Sequence, residues 1–234
     1  MPLILDQVAD RAAKLLLRTG HVQSADDLNA SFRRIEVDMG AVSWEPGAKV
    51  QFRTHGATFR TFTPFDWDGR TVSFLVHRHG GTGPATAWAD SLAPGAEVQA
   101  FGPRRSLHLT DLEAGPVLVG DETSFALAAA WAVHGTAPAA ANLFEVTATA
   151  EARPVLAHLG VEPTHLVERS DDDAHQPELV RLALDALGRH PDAPVVLTGK
   201  AQTIRAVRGA IKEAGLSPTA RVKAYWDPNR TGLD

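Results

Sequence analysis

Two short runs carry the residues best suited to chemistry. Arg60-Thr61-Phe62-Thr63-Pro64 sets a guanidinium, an aromatic ring and two hydroxyls side by side, and Gly80-Gly81-Thr82-Gly83-Pro84-Ala85-Thr86-Ala87-Trp88 follows one expected strand later. An arginine beside an aromatic and a hydroxyl can hold a phosphate, cover a flat ring and hydrogen-bond its edge. A glycine-rich turn that opens a helix offers bare backbone N–H groups and the positive end of the helix dipole to a diphosphate. Together the runs suit a two-part site for a flavin dinucleotide. Each also has a plainer reading alone: a strand that exposes Arg60 and buries Phe62, and a simple turn with an N-cap at Thr86.

A third candidate is Gly120-Asp121-Glu122-Thr123, directly after an expected strand. Open parallel sheets bind ligands at the carboxyl ends of their strands, so Asp121 and Thr123 stand at a binding position. They also suit a cap for the helix that starts near Ser124, and the local sequence does not separate the two uses. Thr198-Gly199-Lys200 is not a P-loop, because Pro194 stands where the upstream glycine is needed, and Lys200 reads as a helix-start lysine. No G-x-G-x-x-G, G-x-S-x-G or H-E-x-x-H occurs, which leaves classical dinucleotide fingerprints, the hydrolase elbow and the zinc helix unsupported. Asp171-Asp172-Asp173 reads as a solvated loop or helix start, and neither His77 nor His79 is given a metal role.

The elements that must position these residues fall into two patterns. Phe32–Val37, Lys49–Arg53, Thr71–Val76 and Glu97–Phe101 are short apolar runs between Gly, Pro and Asp punctuation, as in an antiparallel barrel. Residues 3–17 add an amphipathic helix, with Leu5, Val8, Ala12, Leu15 and Leu16 near one face. Beyond Pro116 strands and helices alternate. Strands are expected at Val117–Gly120, Leu143–Thr149, His165–Glu168, Pro194–Thr198 and Ala220–Trp226, with helices at Ser124–His134, Pro177–Gly188 and Ile204–Ala214. That alternation implies a parallel sheet with crossover helices. The expected domains are therefore 1–114, a β-barrel, and 115–234, a parallel α/β domain of nucleotide-binding type, joined around Leu112–Pro116.

Composition narrows the chemistry. With 234 residues, 44% hydrophobic and 22% charged, the chain has the make-up of an ordinary globular protein. A net charge of −5 and a pI near 6.0 argue against broad binding to nucleic-acid phosphates. No apolar run reaches membrane-spanning length, and Met1-Pro2-Leu3-Ile4-Leu5-Asp6 lacks the form of a signal peptide, so the chain reads as cytoplasmic. Cysteine is absent, which removes disulfides, thiolate nucleophiles and cysteine-ligated metal clusters. Redox chemistry must then use a bound cofactor.

The ordered set Arg60-Thr61-Phe62-Thr63-Pro64, Gly83-Pro84-Ala85-Thr86-Ala87-Trp88-Ala89, Pro94-Gly95, Gly102-Pro103, Val119-Gly120-Asp121-Glu122-Thr123 and Tyr225-Trp226 resembles the siderophore-interacting protein family. These are ferredoxin-reductase-like flavoproteins that reduce ferric siderophores. The resemblance implies that Arg60 meets the phosphates of FAD, Phe62 lies against the flavin and Thr63 bonds the isoalloxazine edge. It also implies cofactor contacts from Thr61, His77, Gly83, Pro84, Ala85, Thr86 and Trp88, with Asp121, Thr123, Tyr225 and Trp226 toward the electron-donor side. The family pattern R-x-Y-T has tyrosine where this chain has Phe62, which stacks but has no hydroxyl to give the ribityl chain. Residues 78–82 lengthen the approach to the glycine turn, Lys200 replaces a commonly acidic residue, and Asp227-Pro228-Asn229-Arg230 replaces the family's basic residue and glycine.

By resemblance the expected activity is an FAD-dependent ferric-siderophore reductase that draws electrons from NAD(P)H or a reduced ferredoxin. Arg104, Arg105, Lys223 and Arg230 are basic residues that can attract an anionic chelate. Ferrous iron binds hard oxygen ligands less tightly, so reduction promotes release. Two alternatives remain: a degenerate, non-catalytic module that binds a nucleotide or metabolite, and a flavin reductase or biosynthetic flavoenzyme with another substrate.

Overall fold

A computed structural model describes residues 17–56, 58–78 and 83–229. The helix expected over 3–17 lies outside them but for Leu17, as do residues 79–82 of the lengthened turn and Arg230. The chain divides into two compact units, one through Arg105 and one from Ser106.

The first unit contains β1 (Arg18–Asp27), β2 (Phe32–Asp38), β3 (Ala48–His55), β4 (Thr58–Phe62), β5 (Pro64–Trp67), β6 (Thr71–His77), helix α1 (Pro84–Ser91) and β7 (Glu97–Arg105). Its seven strands form one antiparallel, barrel-like sheet in the order β4-β3-β7-β1-β2-β6-β5. The alternation legible in the sequence becomes its two faces. Ile35, Val37, Val50, Phe52, Val72, Phe74, Val76, Val98 and Ala100 are buried together, and α1 adds Trp88 and Ala89 to the same core. Polar side chains set the turns. Asn29 Oδ1 accepts from the N–H groups of Ser31 and Phe32 at 3.0 Å between β1 and β2. Asp68 Oδ1 does the same for Arg70 and Thr71 before β6.

The second unit runs β8 (Val117–Gly120), a 3₁₀ turn (Glu122–Ser124), α2 (Phe125–His134), β9 (Ala141–Val146), α3 (Thr149–His158), β10 (His165–Glu168), α4 (Gln176–Arg189), β11 (Val195–Lys200), α5 (Ala201–Glu213) and β12 (Ala220–Trp226). All neighbours in its sheet are parallel, in the order β10-β9-β8-β11-β12. The expected fold class, an antiparallel barrel followed by a parallel α/β unit, is what the chain adopts. Residues 106–112 group with this second unit: Arg221 on β12 donates to His108 O at 2.8 Å and meets Asp111 at 2.5 Å, and Leu107, Leu109 and Leu112 are buried.

Several boundaries differ from expectation. The strand expected to reach Thr149 stops at Val146, and Thr149 instead opens α3. The Glu168 carboxylate accepts from both the N–H and the hydroxyl of Thr149, at 2.9 and 2.8 Å, which satisfies that helix start. α5 begins at Ala201 rather than Ile204. Thr86 is not the cap of α1: the helix begins at Pro84, with Gly83 in the extended cap position and Thr86 inside the first turn. Proline at the first helical position brings its own fixed φ and lacks only an N–H that would have no helical partner.

Candidate functional site

In the first unit the two chemistry-bearing runs meet. β4 pairs with β3 so that Phe62 stands opposite Val50 and Arg60 opposite Phe52. Arg60 and Phe62 share one face of the strand, as residues two apart must. The Phe62 ring lies 5.5 Å from Trp88, 6.0 Å from Phe52 and 6.5 Å from Phe74, and Trp88 itself stacks on Phe52 at 5.1 Å. An aromatic cluster thus ties the arginine-bearing strand to the helix that follows the glycine turn. Phe62 stays half-buried, with its inner side on the core.

Among the described residues α1 starts without a side-chain cap, and a Cβ placed on Gly83 would meet none of their atoms within 4 Å. The N–H groups of its first turn have no helical acceptor, which is the arrangement that accepts an anion. Among the described residues the Arg60 guanidinium has one hydrogen bond, to its neighbour's carbonyl, Phe59 O, at 2.8 Å. Its charge is not neutralised by a carboxylate there. An uncapped helix start, open space at Gly83 and a cation without an acidic partner fit the diphosphate of FAD by chemistry. Thr61 and Thr63 lie at intermediate burial. His77, at the end of β6, stacks on Phe32 at 4.8 Å, so packing accounts for its position.

In the second unit the strand order reverses at β8, which has β9 on one side and β11 on the other. Asp121 follows β8 at this switch point and is fully buried. Its Oδ1 accepts from Thr123 N at 2.8 Å and from the Thr123 hydroxyl, and its Oδ2 accepts from the Trp226 indole N–H at 2.7 Å. Burial pushes the Asp121 carboxyl up to about 6, with the neighbouring Glu122 charge adding to the rise and the bonds from Thr123 and Trp226 opposing it. So the capping reading of Asp121 and Thr123 is met in the structure, with a tryptophan from β12 bound to the same carboxylate. Tyr225 is half-exposed beside it.

Around this carboxylate lie residues that sequence reasoning did not connect. Glu122 is buried, accepts Thr147 N at 2.5 Å and pairs with Arg169 at 2.7 Å. Arg169 and Lys200 sit 6.0 and 5.9 Å from the Trp226 ring. Lys200 is the cap residue of α5 and pairs with Asp173, so the acidic run supplies an ion pair to a strand end. Among the described residues no cluster of three or more metal-ligating side chains occurs. Deeper still, Thr203 donates to Glu145 at 2.8 Å and His175 Nε2 lies 2.6 Å from the other Glu145 oxygen. Ser170 N donates to His175 Nδ1 at 3.2 Å, which puts the ring proton on Nε2, facing Glu145. Only the strand order brings these partners together, and a pattern in the sequence has no signal for them.

The fold is ferredoxin-reductase-like. Residues 6–107 match the family described as the siderophore-interacting FAD-binding domain, which bears out the resemblance read from the motifs. No curated protein matches the chain. The fold is similar to a siderophore-interacting protein from Acinetobacter baumannii, with a TM-score of 0.75 at 14% identity over 92% of this chain and 91% of that one. A siderophore utilization protein from T. fusca is similar at TM-score 0.67 and 20% identity, over 93% and 95% of the two chains. Ferredoxin-NADP+ reductase from Plasmodium falciparum is similar at 0.67 and 9%, over 89% and 96%. No helix among the described residues is long and apolar enough to cross a membrane.

Proposed function

We propose that this protein is an FAD-dependent oxidoreductase that reduces ferric-siderophore complexes, with NAD(P)H or a reduced ferredoxin as electron donor. The observation that carries this reading is the joining of Arg60, Phe62 and Trp88 to an uncapped helix start at Gly83, within a segment matched to an FAD-binding family. In this reading Arg60 and the N–H groups at Gly83, Ala85 and Thr86 hold the diphosphate, while Pro84 fixes the turn. Phe62 and Trp88 form the apolar side of the site, Thr61 and Thr63 offer hydroxyls to the ring edge, and His77 lends its packed ring to the wall. Bound FAD would supply the chemistry itself, accepting a pair of electrons and passing them singly to ferric iron. Asp121, Thr123, Tyr225 and Trp226 line the carboxyl edge of the parallel sheet, where the donor is expected.

Two measurements test this. After incubation with FAD and desalting, the folded protein should keep oxidised-flavin absorbance at near one per chain. The reduced, loaded protein should then reduce a ferric chelate faster than the same concentration of free flavin, and equal rates would end the reductase assignment.

A further inference from the structure

The reading above leaves open which ferric chelate is taken, and the first unit carries a feature that discriminates among them. At one end of the barrel lies a cavity of about 340 Å³ lined in part by Trp44, Glu45, Ala48, Arg104 and Arg105. Trp44 lines it and is backed by Trp67, the two rings stacking nearly parallel, 10° apart with centroids at 6.4 Å. The turn that directly follows Trp44 is closed by Ala48 N donating to Glu45 O at 3.0 Å. Both guanidiniums are exposed and already oriented. Arg104 lies over the Phe101 ring at 4.2 Å and bonds Gln51, and Arg105 is held by Glu45 at 2.7 Å. Each arginine thereby uses part of its donor fork and keeps the rest for a ligand.

The register places this cavity beside the proposed flavin contact. Arg104 pairs with Lys49 and Arg105 with Ala48 on β3, while the next β3 residue, Val50, pairs with Phe62. Thr63, assigned to the ring edge, directly follows Phe62. A Cβ on Gly102 would come within 2.9 Å of Lys49 O, so β7 approaches β3 closely at this point and its arginines are fixed near that end of β4.

Glu45 lines the same cavity and balances Arg105, which leaves one net positive charge, carried by Arg104, beside the Trp44 indole, a combination that recognises flat, electron-rich rings with negative charge. We infer that the Trp44, Arg104 and Arg105 cavity docks ferric chelates built from aryl oxygen ligands, catecholate or phenolate, in preference to hydroxamate chelates. A catecholate complex of iron(III) is anionic and presents ring faces, whereas a neutral aliphatic trihydroxamate offers neither stacking nor a charge for the arginines. This inference rests on the siderophore reading of the same protein.

The test uses gallium(III) complexes, which match the ferric ones in charge and shape and are not reduced. The whole chain is titrated by calorimetry with a gallium tris-catecholate and with a gallium trihydroxamate. The tris-catecholate should bind more tightly by roughly tenfold or more, and its affinity should fall with added salt. Arg104→Gln, Arg105→Gln and Trp44→Leu should each lower that affinity by roughly tenfold and leave the trihydroxamate titration unchanged. Circular dichroism checks folding, and the two exposed arginine variants keep the test valid if Trp44→Leu fails to fold. Equal affinity for the two complexes, or no loss in the arginine variants, overturns the assignment. Selective binding without any reduction of the ferric catecholate would refute the reductase reading and uphold the cavity. Reduction without selective binding would do the reverse.

Discussion

Asp121 is the residue whose ionisation the fold opposes most visibly. Its carboxyl is raised from an ordinary 3.8 to about 6, first by burial and then by Glu122. The folded state therefore binds this proton more tightly than the unfolded chain does. The stabilisation is fully present below about pH 3.8 and is lost as pH rises through about 6, a change on the order of 3 kcal/mol. Asp121→Asn removes the charge and keeps one of the two accepting oxygens, enough for the Thr123 donors or for the Trp226 indole but not for both, a loss that is the same at every pH. Its stability relative to wild type, from urea unfolding at several pH values, should improve by about 2–3 kcal/mol between pH 4 and 7 and change little above that. A difference that stays flat across that window would mean the carboxyl is not raised. Arg60 gives a second prediction at this scale. Arg60→Ala should weaken FAD binding by about 1.5–3 kcal/mol, roughly tenfold to a hundredfold, because a charge-assisted phosphate contact is lost. An unchanged FAD dissociation constant would remove Arg60 from the site.

At the scale of elements, two glycines on neighbouring parts of the second unit should respond oppositely to the same change. Gly199, at the end of β11, has φ of +93° and would bring a Cβ within 2.5 Å of the Asp121 carboxylate. Gly199→Ala should destabilise by about 1–3 kcal/mol through backbone strain and displacement of that buried carboxylate. Gly209 lies inside α5, where an added Cβ would meet nothing within 4 Å, so Gly209→Ala should stabilise by about 0.5–1 kcal/mol. Thermal unfolding of both variants checks the pair, and a stabilising Gly199→Ala would refute the strand-end geometry. The same elements show what the sequence can disclose. The α/β half is legible because its buried strands are continuous apolar runs and α4 and α5 carry clean apolar stripes. β1 is not, because Arg-Thr-Gly-His-Val-Gln-Ser-Ala-Asp-Asp buries little beyond Gly20 and Val22, and its pairing with β2 and β7 makes it a strand. α3 is hidden by Pro154 within it. In the proposed site, Arg60, Phe62 and the glycine turn are legible from residue type. The pairing of Glu122 with Arg169, and of Glu145 with His175 and Thr203, depends on residues 30 to 58 positions apart. Strand order alone joins them.

For the molecule as a whole, the electron count follows from composition and the proposed cofactor together. The chain has no cysteine, so no thiol can store or divert reducing equivalents. If FAD is the redox centre, each reduced chain holds one pair of electrons, and ferric iron takes them one at a time. Anaerobic mixing of fully reduced, FAD-loaded protein with excess ferric catecholate, without further donor, should yield about two ferrous ions per flavin. The ferrous product is read with a ferrous-specific chelator and the flavin by its recovered absorbance. A yield near zero would mean that electrons do not leave for this substrate. A yield well above two would require a further redox group that the sequence does not supply through cysteine, and would set aside the single-flavin account. The same count repeated in Arg104→Gln should give an unchanged final yield at a slower rate, since that residue is assigned to docking the chelate and not to holding electrons. A lower final yield in that variant would instead tie Arg104 to the cofactor.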